Sequence, residues 1–119
     1  MDRAKRNEAL GDELYRALRE RYVLDPLTDR HPDLTIDDAY AISTRILKNR
    51  LERDGEKVIG KKIGVTSKAV QEMLNVHQPD FGYLTDAMRY ENGAAMPIST
   101  QLIQPRAEGE IAFVLKKSL

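Results

Sequence analysis

Two glutamates separated by a single residue, Glu108 and Glu110, have a spacing that could support chemistry. In a β-strand, residues two apart lie on the same face, roughly 7 Å from each other along the backbone. Two carboxylates placed in this way can converge on one hard divalent cation, such as Mg²⁺ or Mn²⁺, which prefers oxygen ligands. Two glutamates at an exposed strand end would show the same spacing without a metal, and the spacing alone favours that simpler arrangement.

A lysine between two glycines is the second candidate. Lys62 lies between Gly60 and Gly64 in a strand-like segment, where small neighbours leave room for a ligand. A lysine beside a carbonyl group can stabilise developing negative charge or transfer a proton. Because consecutive strand residues point to opposite faces, at most one of Lys61 and Lys62 is expected to face a site. A solvated lysine at a strand edge is the alternative, and the residues alone favour it.

Three further polar residues have two possible roles each. Asp80 lies in a predicted turn at residues 78–82, where it could act as a general acid/base if burial raised its pKa, or simply bond its own backbone. Thr66 and Ser67 precede a short predicted helix, so they could cap that helix or help its first turn bind a substrate carboxylate. The two histidines of the chain do not form a site by their spacing.

The elements that must position these residues can be predicted from the pattern of apolar residues. Leucines at every fourth position predict an amphipathic helix over about residues 5–24, and Thr35 is expected to cap a second helix that ends near Asp54 and Gly55. The remaining predicted elements are a polar connection at 26–32, a strand-like segment from Val58, a short helix capped by Ser67 and closed by Asn75, an extended stretch after Asn92-Gly93, and a buried strand at 108–115. Helices that precede strands predict the α+β class.

Composition limits the partners that this chain can have. Its 119 residues suit one domain, and the 19 basic and 19 acidic residues balance. This balance argues against a nucleic-acid partner and against binding to an anionic membrane surface. The absence of cysteine excludes disulfides and thiolate chemistry. The N-terminus carries no signal-like apolar run, and no apolar stretch is long enough for a membrane span, so a cytoplasmic protein is expected.

Three runs of sequence, taken in order, carry a more specific signal. They contain Gly-Lys-Lys-Ile-Gly at 60–64, Gln-Pro-Asp-Phe-Gly at 78–82 and Ala-Glu-Gly-Glu at 107–110. Together with the stretch from 26 to 40, they resemble the 2-oxopent-4-enoate hydratases. These enzymes belong to the hydratase/decarboxylase family that is related to fumarylacetoacetate hydrolase. The resemblance covers nearly the whole chain.

The resemblance implies an α+β fold in which N-terminal helices precede the start of a mixed β-sheet of the fumarylacetoacetate-hydrolase kind. It divides the chain into a helical region, 1–56, and the first part of a catalytic domain, 57–119. Family members continue well beyond residue 119. The chain is therefore expected to be a fragment, with most of the sheet and a third carboxylate ligand of the metal encoded beyond its last residue.

The resemblance also implies an activity and roles for individual residues. The family's hydratases add water to 2-hydroxypenta-2,4-dienoate and form 4-hydroxy-2-oxopentanoate in the meta-cleavage degradation of aromatic compounds. By this resemblance Glu108 and Glu110 are ligands of Mg²⁺ or Mn²⁺, Lys62 is the active-site lysine, and Asp80 is the acid/base group. The implied partners are the small 2-oxo acid substrate, further copies of the chain in a homo-oligomer, and the sibling decarboxylase.

Two other functions are compatible with the same residues. One is that of the sibling decarboxylase, which acts on 2-oxohex-3-enedioate with the same metal site, although the runs at 66–71 and 78–84 look closer to hydratases. The other is a truncated, non-catalytic module that docks on partner subunits. Release of carbon dioxide would identify the decarboxylase, and failure to bind Mg²⁺ or Mn²⁺ would favour the docking module.

Overall fold

Helices dominate the first half of the molecule, and a small sheet follows them. The computed structural model describes residues 2–119. In chain order the elements are α1 (Arg3–Glu20), α2 (Leu27–Arg30), α3 (Ile36–Arg53), β1 (Val58–Gly64), α4 (Lys68–Met73), β2 (Asp80–Thr85), a 3₁₀ helix (Asp86–Met88) and α5 (Ile98–Gln101). The predicted α+β class is confirmed at this level. Within the described residues, no helix is long and apolar enough to cross a membrane.

The first predicted helix is confirmed, with different ends. α1 begins at Arg3 and stops at Glu20, four residues before the expected end. Arg21 adopts a left-handed conformation with φ of 56°, and its N–H donates to the carbonyl of Ala17. This is a common way to close a helix, because it satisfies a carbonyl that the last turn leaves unpaired. The polar connection that follows contains the one-turn helix α2, which was not predicted.

The predicted cap of the second helix is confirmed. The hydroxyl of Thr35 accepts a hydrogen bond from the backbone N–H of Asp38 at 3.2 Å. The carboxylate of Asp38 accepts one in return from the backbone N–H of Thr35 at 3.0 Å. This reciprocal capping box satisfies two backbone donors that would otherwise lack partners. α3 ends at Arg53, and Gly55 takes a positive φ of 69°, close to the expected end.

α1 and α3 pack side by side and run in the same direction. Arg3 reaches Asp38 near the start of α3, whereas Tyr15 donates to Asp54 just beyond its end. The connection at 21–35 must therefore run back along the whole length of the pair. The two helices approach closely at Gly11, where an added Cβ would lie 2.5 Å from the Cβ of Arg45.

The strand predicted from Val58 is confirmed, and it pairs with a strand that was not predicted. β1 and β2 form an antiparallel two-stranded sheet in which Lys62 lies opposite Gly82 and Gly64 lies opposite Asp80. The predicted turn at 78–82 is wrong, because residues 80–82 are already hydrogen-bonded into β2. The chain bends earlier, at 77–78. The register is interrupted between Val58 and Gly60, as in a β-bulge.

The last 34 residues, 86–119, contain little regular structure. Asn92 and Gly93 form a turn, but residues 98–101 are helical where an extended stretch was predicted. The buried strand predicted at 108–115 is also wrong, since no strand forms there and Ile111, Phe113 and Val114 are 86%, 86% and 99% exposed. A strand requires a hydrogen-bonding neighbour, and among residues 2–119 the two existing strands pair only with each other.

Candidate functional site

The two faces of the β1–β2 sheet have different chemistry. On one face, Phe81 stacks on Tyr40 of α3, with ring centroids 4.9 Å apart. Because side chains alternate along a strand, Lys62 and Asp80 belong to the opposite face, diagonally across the ladder from each other. The face that carries Lys62 and Asp80, called the charged face below, therefore points away from the helices.

Lys62 is at the centre of the charged face. Its Nζ donates to Oε1 of Glu110 at 2.5 Å, so two residues 48 positions apart in sequence come into direct contact. This hydrogen bond, together with the negative charges of Glu110, Glu108 and Asp80, raises the pKa of Lys62. The lysine is consequently a cation at neutral pH. The structure thus brings three of the other residues predicted from the sequence, Asp80, Glu108 and Glu110, near the ammonium group of Lys62.

Asp80 is the first residue of β2 and is exposed. The burial predicted for a general acid/base is not found at Asp80 among the described residues. Its carboxylate extends over the neighbouring strand, because a Cβ added to Gly64 would lie 2.8 Å from Oδ1 of Asp80. The carboxylate therefore occupies space that only a glycine at position 64 leaves free.

The other two predicted residues follow directly after β1. Ser67 is the N-cap of α4, and its hydroxyl accepts from the backbone N–H of Val70 at 3.2 Å. Asn75 has the predicted left-handed conformation, with φ of 54°, two residues beyond the end of α4. The capping role of Ser67 is confirmed. Thr66 is exposed beside it, and a substrate-binding role for either residue stays a prediction.

Glu108 and Glu110 have the right chemistry to bind a divalent cation, but two ligands are too few for a complete site. Glu108 and Glu110 offer the hard oxygen ligands that Mg²⁺ and Mn²⁺ prefer. Within residues 2–119, however, no three acidic or histidine side chains converge as a metal site would require. Oε1 of Glu110 instead contacts the ammonium group of Lys62. The strand that was predicted to place both carboxylates on one face does not form within residues 2–119, so their joint binding of a cation stays a prediction.

One buried carboxylate connects the helices to the sheet, and sequence reasoning missed it. Glu56 accepts from Thr85 at 2.6 Å, from Arg50 at 2.7 Å and from Arg19 at 2.8 Å. Burial tends to raise the pKa of Glu56, but the hydrogen bonds from Thr85 and Arg50 outweigh it, so the pKa is lowered. Nothing in the sequence distinguishes this glutamate, because its partners lie up to 37 positions away.

No protein-family model matches the chain. Several curated proteins, however, do match the chain. The chain is 67% identical over all 119 residues to a 2-hydroxypent-2,4-dienoate hydratase of Pseudomonas putida, covering 53% of that protein. It is 65% identical to a 2-hydroxyhexa-2,4-dienoate hydratase of Comamonas testosteroni, over 94% of the chain and 42% of the relative. A 4-oxalocrotonate decarboxylase of Pseudomonas sp. is also related, at 35% identity over 93% of the chain and 41% of that protein.

Over most or all of its length, the chain is similar to curated hydratases and to a curated decarboxylase. It spans about half the length of the curated relatives that it matches. Among solved structures, it is similar to 4-oxalocrotonate decarboxylase from Pseudomonas putida G7, with a TM-score of 0.64 and 29% identity. That match covers 70% of this chain and 31% of the decarboxylase, which was complexed with magnesium and adipate. A second structure of the decarboxylase, complexed with calcium and acetate, matches with the same TM-score.

Proposed function

We propose that the protein to which this chain contributes is a hydratase that adds water to 2-hydroxypenta-2,4-dienoate, giving 4-hydroxy-2-oxopentanoate, in the meta-cleavage breakdown of aromatic compounds. The observation that carries this proposal is the 67% identity to the Pseudomonas putida hydratase over the whole chain. Identity to the decarboxylase is much lower, at 35%. A hydratase is therefore favoured over the sibling decarboxylase.

Glu108 and Glu110 would hold Mg²⁺ or Mn²⁺. When bound, such a cation supplies Lewis-acid polarisation of the substrate's 2-oxygen and binds its carboxylate. The hard-oxygen chemistry of the two side chains supports this role. So does the similarity to a decarboxylase whose solved structures are complexed with magnesium and with calcium.

Lys62 would stabilise negative charge on the substrate. When water adds at C4 of the conjugated 2-oxo acid, electron density moves to the C2 oxygen, and an ammonium group nearby lowers the energy of that state. The contact between Lys62 and Glu110 supports this role, because it keeps the lysine charged and close to a proposed metal ligand.

Asp80 would move protons between carbon and oxygen. The dienol substrate must first lose its hydroxyl proton and gain one at C5, which gives an enone conjugated with the 2-oxo group. After hydroxide has been delivered to C4, a proton must be added at C3. Asp80 lies on the same sheet face as Lys62 and can exchange protons with substrate or water there. Thr66 and Ser67, just after β1, are the proposed contacts of the substrate carboxylate.

The surroundings of the site are part of the same proposal. Residues 1–56 form a helical region, and residues 57–119 begin a catalytic domain whose mixed sheet follows the fumarylacetoacetate-hydrolase plan. The exposed side chains of Ile111, Phe113 and Val114 support this, because so apolar a segment is normally covered in a functional protein. A homo-oligomer and a complex with the sibling decarboxylase complete the proposed set of partners.

A chimera tests the proposed function. In the chimera, residues 1–119 replace the matching stretch of the Pseudomonas putida hydratase. We expect it to consume 2-hydroxypenta-2,4-dienoate, measured as loss of its ultraviolet band with Mg²⁺ present, and to release no carbon dioxide from 2-oxohex-3-enedioate. Circular dichroism and gel filtration check that it folds. If the whole chimera does not fold, a smaller graft of residues 58–110 takes its place. A folded but inactive chimera contradicts the proposal, and carbon dioxide release assigns the chain to the decarboxylase.

A further inference from the structure

Gly64 has a function that its type alone does not suggest. We propose that Gly64 is a positioning residue, which holds open the space in which the carboxylate of Asp80 lies beside Lys62. This inference rests on the proposed function, because it concerns the group assigned to proton transfer. It assigns Gly64 no contact with the substrate.

The register of the sheet places Gly64 and Asp80 directly opposite each other. A Cβ at position 64 would approach Oδ1 of Asp80 to 2.8 Å, and the only other atom within 4 Å among the described residues, apart from positions 63–65, is Cγ of the same carboxylate, at 3.9 Å. Protein interiors and surfaces do not tolerate a carbon–oxygen contact of 2.8 Å without a shift of one partner. The side chain that must move is therefore Asp80 and no other.

Backbone conformation does not require a glycine here. Among the described residues, the glycines with positive φ are Gly55 and Gly93. Alanine can adopt the backbone conformation of Gly64. The substitution Gly64→Ala therefore tests the steric effect of the added methyl group and not backbone strain.

The expected consequence is a change in chemistry with little change in stability. The atom that a new methyl group would displace is at the end of a rotatable side chain, so the carboxylate can turn aside while the sheet stays paired. A displacement of about 1 Å in a reacting group can reduce a rate by roughly 100-fold. Gly64→Ala should therefore leave folding almost intact while it moves the proposed acid/base group away from Lys62.

Gly60 provides a matched control. Gly60 and Gly64 flank Lys62 at equal distance on the same strand, two residues before it and two residues after it. A Cβ at position 60 would meet only a side-chain carbon of Leu84, at 3.8 Å, which is ordinary van der Waals contact. Gly60→Ala thus adds the same methyl group beside Lys62 without contacting Asp80.

The first test combines substitutions in the chimera. Gly64→Ala should lower kcat by about 10- to 100-fold with a smaller change in KM, and Gly60→Ala should lower kcat much less. In an Asp80→Ala background, where no carboxylate remains to be displaced, Gly64→Ala should cause no further loss. Equal losses with and without Asp80, or equal losses for the two glycine substitutions, would overturn the inference.

The second test does not depend on activity. In the 119-residue chain, the ¹³C chemical shift of the Asp80 carboxyl carbon should change with Gly64→Ala and stay constant with Gly60→Ala, while both variants keep the thermal unfolding midpoint of the parent. An unchanged Asp80 signal in Gly64→Ala would overturn the placement. If the chimera has no hydratase activity but this signal responds as expected, then the proposed function fails and the steric relation stands.

Discussion

The parallel helical pair, α1 and α3, and the charged face of the sheet both pair carboxylates with basic side chains. They differ in how far these side chains are exposed to solvent. Between α1 and α3, the carboxylate of Asp38 is enclosed: it is 1% exposed and accepts from Arg3, Asn7 and Thr35. On the sheet, Lys62 and Glu110 are paired but remain 48% and 50% exposed. A buried carboxylate with several donors holds two helices in one arrangement. An exposed pair, in contrast, remains available to a ligand.

Most of the stabilising burial in the molecule lies in the helical pair. In the part of the chain that the structure describes, the buried apolar core is small and consists of four residues of the helical pair: Leu10, Tyr15, Ala17 and Ile42. Substitutions in the helices should therefore change the free energy of unfolding, whereas substitutions on the charged face should change activity.

The largest effect is expected at Lys62. Lys62→Ala in the chimera should lower kcat by about 100-fold or more, because a donor to developing negative charge is lost. The midpoint of thermal unfolding should hardly change, since the side chain is half-exposed. Lys61→Ala is the control: Lys61 lies over the ring of Tyr83 on the other face, and its loss should leave activity near that of the parent. A large fall in stability with Lys62→Ala would contradict the assignment of stability to the helical pair and of activity to the charged face.

Gly11→Ala is expected to be the most damaging change in the helical pair. The new methyl group would meet the Cβ of Arg45 at 2.5 Å and the carbonyl oxygen of Ile42 at 3.0 Å. Overpacking of this kind costs about 1–3 kcal/mol. The better helix propensity of alanine returns roughly 0.5–1 kcal/mol of that. Urea unfolding should show a net destabilisation, with Glu8→Ala on the exposed side of α1 as control. Net stabilisation would mean that the two helices do not approach as closely as described.

Acid should weaken the helical pair. The hydrogen bond from Arg45, supported by one from Asn49, lowers the pKa of Asp12 to about 2. An unfolded aspartate titrates near pH 4, so between about pH 4 and pH 2 the unfolded chain binds the additional proton. Stability is therefore fully present above that window and is lost as pH falls through it.

Asp12 should account for a contribution on the order of 1 kcal/mol to this loss, after allowance for solvent screening. The measurement is urea unfolding at a series of pH values for the parent and for Asp12→Asn. The difference between the two should shrink as pH falls from 4 to 2. A difference that is constant with pH would show that Asp12 is not held by Arg45 in solution.

The smallest effect is expected at Ser67. Ser67→Ala removes the cap of α4 and should cost about 0.5–1 kcal/mol locally, seen as faster amide exchange at residues 68–73. Thr66→Ala has no cap to remove and should leave this exchange unchanged. If substrate binding in the chimera weakens with both substitutions, the two residues contact the substrate as proposed. An effect of Ser67→Ala confined to amide exchange would restrict that residue to capping.

Local signals in the sequence gave the correct elements where the structure depends on neighbouring residues. The cap at Thr35, the left-handed Asn75 and the strand from Val58 each follow from a few adjacent side chains. The errors lie where a distant partner decides. Residues 80–82 form a strand because they pair with β1, whereas residues 108–115 pair with neither of the two strands among residues 2–119.

The candidate site was predictable in its residues but not in its contacts. Spacing pointed to Glu108 and Glu110, and flanking glycines pointed to Lys62, although only the family resemblance favoured these roles over simpler ones. The contact between Lys62 and Glu110 spans 48 positions, and no periodicity encodes it. The same is true of the space that Gly64 leaves for Asp80, which depends on the register of two strands.

Lys62, Asp80, Glu108 and Glu110 would together form one metal-dependent hydratase site. The most direct measurement is the Mg²⁺ dependence of dienoate hydration by the chimera and by its Glu108→Gln and Glu110→Gln variants. We expect each variant to need at least tenfold more Mg²⁺ for half-maximal activity, or to lose activity altogether, while unfolding at the same temperature as the parent. Variants with unchanged activity and an unchanged Mg²⁺ requirement would contradict the account.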